Sequence, residues 1–144
     1  MLTVRTILQS KGSAVHSLAP DATVLDALHA MATHNCGALV VLDSGRPVGM
    51  LSERDYARKV VLMGRWSKDT LVSDIMSSDV IHVSLELGVE QCMAIMTERR
   101  IRHLVVVDAG GKMAGLISIG DVVKALLDEQ KFTIDQLEKY ITGV

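Results

Sequence analysis

The sequence predicts a mixed α/β (α+β) protein built from two β-α-β-β-α units, and three observations carry that prediction. A motif is repeated: Gly49-Met50-Leu51-Ser52-Glu53-Arg54-Asp55 returns 66 residues later as Gly115-Leu116-Ile117-Ser118-Ile119-Gly120-Asp121. The run before it repeats too, Leu39-Val40-Val41-Leu42-Asp43 returning 65 residues later as Leu104-Val105-Val106-Val107-Asp108. The one-residue slip falls where Ser44-Gly45 is answered by Ala109-Gly110-Gly111. Slips at turns with fidelity in strands mark a duplicated structural unit. Finally, the chain is 49% hydrophobic but only 3% aromatic, so its core must be built from Val, Leu, Ile, Ala and Met.

Each unit reads the same way. A short extended piece (14–18; 80–83) leads into polar helix-start signals, Pro20-Asp21-Ala22-Thr23 and Ser84-Leu85-Glu86. A helix follows, with Val24, Leu25, Leu28, Met31 and Ala32, or Val89, Cys92, Met93 and Met96, at three- and four-residue spacing. The runs 38–42 and 104–107 alternate too little to be half-exposed, as in strands covered on both faces. A Gly-containing turn leads to a second strand, 48–51 or 113–117, and a second helix begins at Ser52 or Ser118. The polar stretch 64–74 joins the units. The front segment Thr3-Val4-Arg5-Thr6-Ile7-Leu8 matches Leu71-Val72-Ser73-Asp74-Ile75-Met76 in pattern, so the repeat extends upstream of the first strand. These boundaries place unit one at 1–66, unit two at 67–128 and a helical tail at 129–144. The tail carries Ile134, Leu137 and Ile141 on one face, an apolar stripe that needs a partner.

Bulk properties narrow the function. A formal charge of −2 argues against non-specific nucleic-acid binding, which runs on clustered Lys and Arg. No run approaches the ~20 apolar residues of a membrane span, and no basic-then-apolar leader opens the chain. A cytoplasmic protein is expected. Cys36 and Cys92 fall at unlike positions in the repeats and fit small buried hydrophobes better than a disulfide scaffold. The five histidines make no metal signature: His29 and His34 are five apart, not four. No nucleophile–base set and no Gly-Lys-Ser/Thr phosphate loop is present, so no catalysis is expected.

A tandem β-α-β-β-α unit ending each time in Gly-apolar-apolar-Ser-x-x-Asp resembles the cystathionine β-synthase (CBS) domain pair, or Bateman module, over roughly residues 4–127. The resemblance implies two units about a pseudo-twofold axis, sheets together and helices outside, with a cleft on either side. It implies clefts that bind adenosyl ligands: AMP, ADP, ATP, NAD(H) or S-adenosylmethionine. It further implies that Asp55 and Asp121 accept hydrogen bonds from ribose hydroxyls and that Ser52 and Ser118 bond ribose or phosphate. A carboxylate suits a vicinal diol because it offers two acceptor oxygens and charge-assisted bonds.

Ser-x-x-Asp is equally a capping arrangement, with Ser as N-cap and Asp reaching back, and the two roles are compatible. Arg102 and His103 open a buried strand; the resemblance implies that they reach a phosphate held at Asp55, and the alternative is that they solvate the strand mouth. Their counterparts Gly37 and Ala38 are uncharged. The Asp55 cleft, with Arg54 and Arg58 beside it, is therefore expected to hold phosphate better than the Asp121 cleft, which has little comparable cation. The opposite repeat is expected to complete each cleft, with Met76, Ser78, Val80 and Ile81 for Asp55 and Gly12, Ser13, Ala14 and His16 for Asp121. The expected function is a non-catalytic nucleotide sensor, homodimeric, signalling to a target protein in trans. The alternative is a ligand-free interaction module.

Overall fold

The computed structural model describes residues 2–143. The elements run α1 (Val4–Lys11), β1 (Ser17–Leu18), α2 (Val24–His34), β2 (Ala38–Asp43), β3 (Arg46–Ser52) and α3 (Glu53–Tyr56). They continue α4 (Val72–Ile75), β4 (His82–Val83), α5 (Val89–Arg99), β5 (His103–Val107), β6 (Met113–Ser118) and α6 (Ile119–Thr142). The fold is α+β with two three-stranded sheets, ordered β1-β2-β3 and β4-β5-β6. β1 and β4 pair parallel with the central strands, while β2 and β3 form an antiparallel hairpin. Ser44 and Gly45 turn that hairpin with φ of 53° and 80°, the positive pair that a two-residue connection demands.

The two compact units do not follow the repeats end to end. One consists of Ala14–Ile81 with Ala109–Met113; the other takes the segment through Ser13, His82–Asp108 and the chain from Ala114 onward. Each unit thus receives its opening helix from the other repeat. In the first, Val72 N donates to Ala22 O (2.8 Å) and Ser73 N to Pro20 O (3.0 Å). In the second, the equivalent Val4 N donates to Leu87 O and Arg5 N to Leu85 O, both 2.9 Å. The exchange follows from burial: each sheet needs a cover that its own unit's two helices do not supply. Val4, Val72 and Ile75 are at most 1% exposed.

The core of the first unit joins Val24, Ala27 and Met31 of α2 to Leu39, Val41 and Leu51 of the sheet, with Val60, Val72 and Ile75 closing it. The expected core helices and central strands are present, and Cys92 is buried while Cys36 is half-buried. Two regions depart from the sequence pattern. After Tyr56 the helix widens over Ala57–Val61 into i→i+5 hydrogen bonding, Leu62 N donating to Ala57 O at 3.1 Å. α6 does not pause at residue 128 but runs on unbroken to Thr142, because no Gly or Pro lies within Asp121–Thr142 to stop it.

Candidate functional site

The repeated motif builds the same local structure twice. β3 ends at Ser52 and β6 at Ser118, each the N-cap of the following helix with extended backbone. Asp55 N donates to Ser52 Oγ and Asp121 N to Ser118 Oγ, both 3.2 Å. In return Ser52 N donates to Asp55 Oδ2 (2.9 Å) and Ser118 N to Asp121 Oδ2 (2.8 Å). Two orphan donors at each helix start are satisfied reciprocally, so capping is one real role of these residues. The first helical residue is anchored alike: Glu53 N donates to Gly37 O (3.0 Å) and Ile119 N to Arg102 O (2.8 Å). Gly37 and Arg102 are therefore structural equivalents, as the 65-residue offset predicts.

The glycine opening each motif has a packing reason. A β-carbon built on Gly49 would lie 2.5 Å from Met76 Sδ and 3.0 Å from the Ser77 carbonyl oxygen. One on Gly115 would lie 2.8 Å from both methyls of Leu8. Leu8 and Met76 are equivalent residues of the exchanged opening segments, so the glycines admit the swapped helices. Met50 and Ser77 then exchange two 2.9 Å backbone hydrogen bonds. This places Met76 in the same unit as Ser52, Arg54 and Asp55, with Ser78, Val80 and Ile81 following in its segment.

Lysines that the motif search passed over sit on both carboxylates. Lys59 Nζ lies 3.2 Å from Asp55 Oδ1 and donates to Ile75 O at 2.9 Å. Lys11 Nζ donates to Asp121 Oδ2 at 2.7 Å and to Leu116 O at 2.9 Å. The expectation that Asp121 lacks a nearby cation is thus corrected. The i,i+4 spacing of Asp55 and Lys59 was a usable sequence signal; Lys11, 110 residues from Asp121 in the chain, offered none. Lys11 also stands with Asp121, Ile7, Ala125 and Phe132 around a groove of about 480 Å³. A larger hollow of about 570 Å³ lies between Met31, Cys36, Gly37, Glu53 and Tyr56, beside the motif and not on Asp55.

Arg102 and His103 stand at the mouth of β5, in the unit that holds Ser13, Ser118 and Asp121. Burial pushes the His103 imidazole below its ordinary range; the charges of Lys11 and Arg102 add to this, and Asp121 opposes it. This shift favours the neutral imidazole and makes Arg102 the better cation for phosphate of the two. Asp121 is pushed up by burial, but the hydrogen bonds from Lys11 and Ser118 and the Lys11 charge outweigh this and hold its carboxyl below the ordinary range. Ala14 is exposed and His16, in the other unit, stacks on His34 at 3.7 Å with the rings 11° apart.

These shifts have a testable sign. A folded His103 that resists protonation removes stability as pH falls below its unfolded value of about 6.5. His103→Asn is expected to flatten the drop in melting temperature between neutral pH and mildly acidic pH. Asp121 acts lower: its stabilisation is present above the unfolded carboxylate value of about 3.9 and is lost as pH falls through the depressed folded value. Lys11→Gln should move the Asp121 carboxyl titration, followed by NMR, upward.

No helix among the described residues is long and apolar enough to cross a membrane. Among the same residues, no group of three His, Cys, Asp or Glu side chains is placed to hold a metal.

Comparison with known proteins agrees with this architecture. Residues 4–62 and 72–128 each match the CBS domain. A mitochondrial CBS domain-containing protein of Arabidopsis thaliana is 41% identical, the match covering 98% of this chain and 72% of that one. A protein with CBS domains from Burkholderia ambifaria superposes with a TM-score of 0.81 at 45% identity, over 89% of this chain and 96% of that one. A CBS domain protein from Pyrobaculum aerophilum, solved in complex with AMP, gives 0.74 at 28% identity, over 83% and 89%.

Proposed function

The chain belongs to the CBS-domain family, and on that premise we propose that it is a non-catalytic regulatory module whose Ser-x-x-Asp sites take an adenine nucleotide. One observation carries the reading: Ser52/Asp55 and Ser118/Asp121 recur with the same geometry at the same junction of strand and helix. Capping occupies Oδ2 of each carboxylate and leaves Oδ1 to a vicinal diol, which would exchange with Lys59 at Asp55, while at Asp121 Lys11 shares the capped oxygen. The AMP seen in the Pyrobaculum relative supports the ligand class; AMP, ADP, ATP and NAD(H) all present the same adenosine. The ligand acts by binding one arrangement of the module better than another, since only differential affinity shifts an equilibrium. The module works as a cytoplasmic homodimer and passes its state to a target protein in trans.

A thermal-shift series with AMP, ADP, ATP, NAD, NADH, S-adenosylmethionine and GTP tests this. Ligand at about 100 times its Kd adds ~2.7 kcal/mol, roughly 8 °C for a chain of this size. An adenosyl-selective rise is expected. No rise with any of them would favour the second reading, an interaction module without ligand. One observation speaks for that reading: both carboxylates are already engaged by a capping N–H and a lysine.

A further inference from the structure

The apolar stripe of α6 has no cover among the described residues, and its spacing says what would cover it. α6 has 24 residues, a rod of about 36 Å at 1.5 Å per residue. Every described residue from Leu127 to Gly143 is exposed, including Leu127, Ile134 and Leu137 at 54–58% and Ile141 at 80%. Val123, Leu127, Gln130, Ile134, Leu137 and Ile141 follow one another at intervals of four and three, the alternation of a coiled-coil seam. Leu127, Ile134 and Ile141 take the a positions, and Val123, Gln130 and Leu137 the d positions. The groove against α1 is centred on a different face, that of Asp121, Ala125, Asp128 and Phe132, and touches none of the seam's a and d residues, only the flanking Lys124.

We propose that this seam pairs with the same seam of a second copy of the chain, antiparallel. The proposal deepens the homodimer part of the reading above and is independent of nucleotide binding. Charge selects the orientation. With Leu127 opposite Leu137 of the second copy, Val123 meets Ile141 and Gln130 meets Ile134, so each polar d residue faces an apolar one. Lys124 then flanks Glu138 of the other chain, twice by symmetry, and Tyr140 covers Leu126. Lys131 meets its own copy, a like-charge contact between long exposed side chains. A parallel pair would set Leu126 against Lys131 and Thr133 against Glu138, gaining no ion pair, and would face Gln130 with Gln130. Flanking charges of this kind set partner orientation more than affinity.

The test is the molar mass of the full chain by light scattering over a micromolar dilution series, with Ile134→Glu/Leu137→Glu beside it. Wild type is expected to run as two chains and the double variant as one, dimerising at least tenfold more weakly, with its unliganded melting temperature measured to show it is folded. Glu138→Lys should weaken pairing several-fold and Lys124→Glu/Glu138→Lys restore it. Under oxidation Thr133→Cys, next to its own copy at the antiparallel centre, should cross-link, whereas Leu137→Cys, about 15 Å from its copy at 1.5 Å per residue, should not. Wild type treated alike controls for Cys36 and Cys92. A monomeric wild type, a dimer indifferent to the double variant, or linking through Leu137→Cys in place of Thr133→Cys overturns the proposal. None of these outcomes touches the nucleotide shift, which the double variant is expected to keep.

Discussion

Gly49→Val is expected to lower the melting temperature by about 10 °C, the largest single-site loss of stability outside the hydrophobic core itself. The first added carbon already meets Met76 Sδ at 2.5 Å and the Ser77 carbonyl oxygen at 3.0 Å. Met76 can turn its sulfur away, but the Ser77 backbone is pinned by two 2.9 Å hydrogen bonds with Met50. Relief therefore means parting the exchanged segment from β3. Overpacking of this kind costs about 1–3 kcal/mol and more where backbone must move; roughly 3 kcal/mol corresponds to ~10 °C here. Gly115→Val offers the internal comparison. Its three nearest obstacles all belong to the Leu8 side chain, the two methyls at 2.8 Å, and a side chain can turn. The loss there should be smaller, and equal losses would show that the Met50–Ser77 pairing does not govern the difference. Calorimetry of the two variants decides it.

Asp55→Ala is expected to remove most of the nucleotide-dependent rise in melting temperature, up to ~2.7 kcal/mol at saturating ligand. The variant also loses the reciprocal cap to Ser52, a cost of about 0.5–2 kcal/mol. The informative quantity is therefore the shift between liganded and unliganded protein, measured separately for each variant. Asp121→Ala loses the same cap and frees Lys11, as Asp55→Ala frees Lys59. Its ligand-dependent rise should fall less, because the closer Lys11 ion pair, 2.7 Å away on the capped Oδ2, leaves less of the Asp121 charge for a diol than Lys59 leaves of Asp55 from 3.2 Å. A greater loss in Asp121→Ala would reverse the ranking of the two sites while leaving the nucleotide reading intact. Unchanged shifts in both variants would remove these carboxylates from the ligand altogether.

Much of this architecture was legible because strands and turns are local. The runs around Leu39–Val41 and Leu104–Val106 are buried as their composition says, and the Ser44-Gly45 turn sits where the repeats slip. The Ser-x-x-Asp caps needed only a four-residue window. What escaped reading is non-local. Nothing near Leu8 or Met76 says that each packs on a glycine of the other repeat, and nothing beside the motif glycines says that their missing β-carbons make room. Lys11 was invisible for the same reason. The widened turn at Ala57–Val61 escaped for another: the sequence there is ordinary for an α-helix, and its one buried residue, Val60, is equally compatible with either register. His103 was read as a cation from its identity alone, whereas its charge is set by burial and by neighbours brought from distant parts of the chain.

The exchange of opening helices also sets an order of events during synthesis. The unit containing Asp55 lies between Ala14 and Ile81 apart from the Ala109–Met113 loop, so it can close soon after that stretch leaves the ribosome. α1 is made first and docks last: its Leu8 waits for the strand that carries Gly115. At roughly 10 residues per second that is a delay of about 10 s, with Val4, Ile7 and Leu8 unsheltered and a half-finished sheet to follow. Ribosome-stalled chains ending near residue 110 are expected to protect α4 from protease and leave α1 open to it. The two units therefore mature unequally, and α1, translated ahead of the rest of its unit, is the segment that waits longest for its partners.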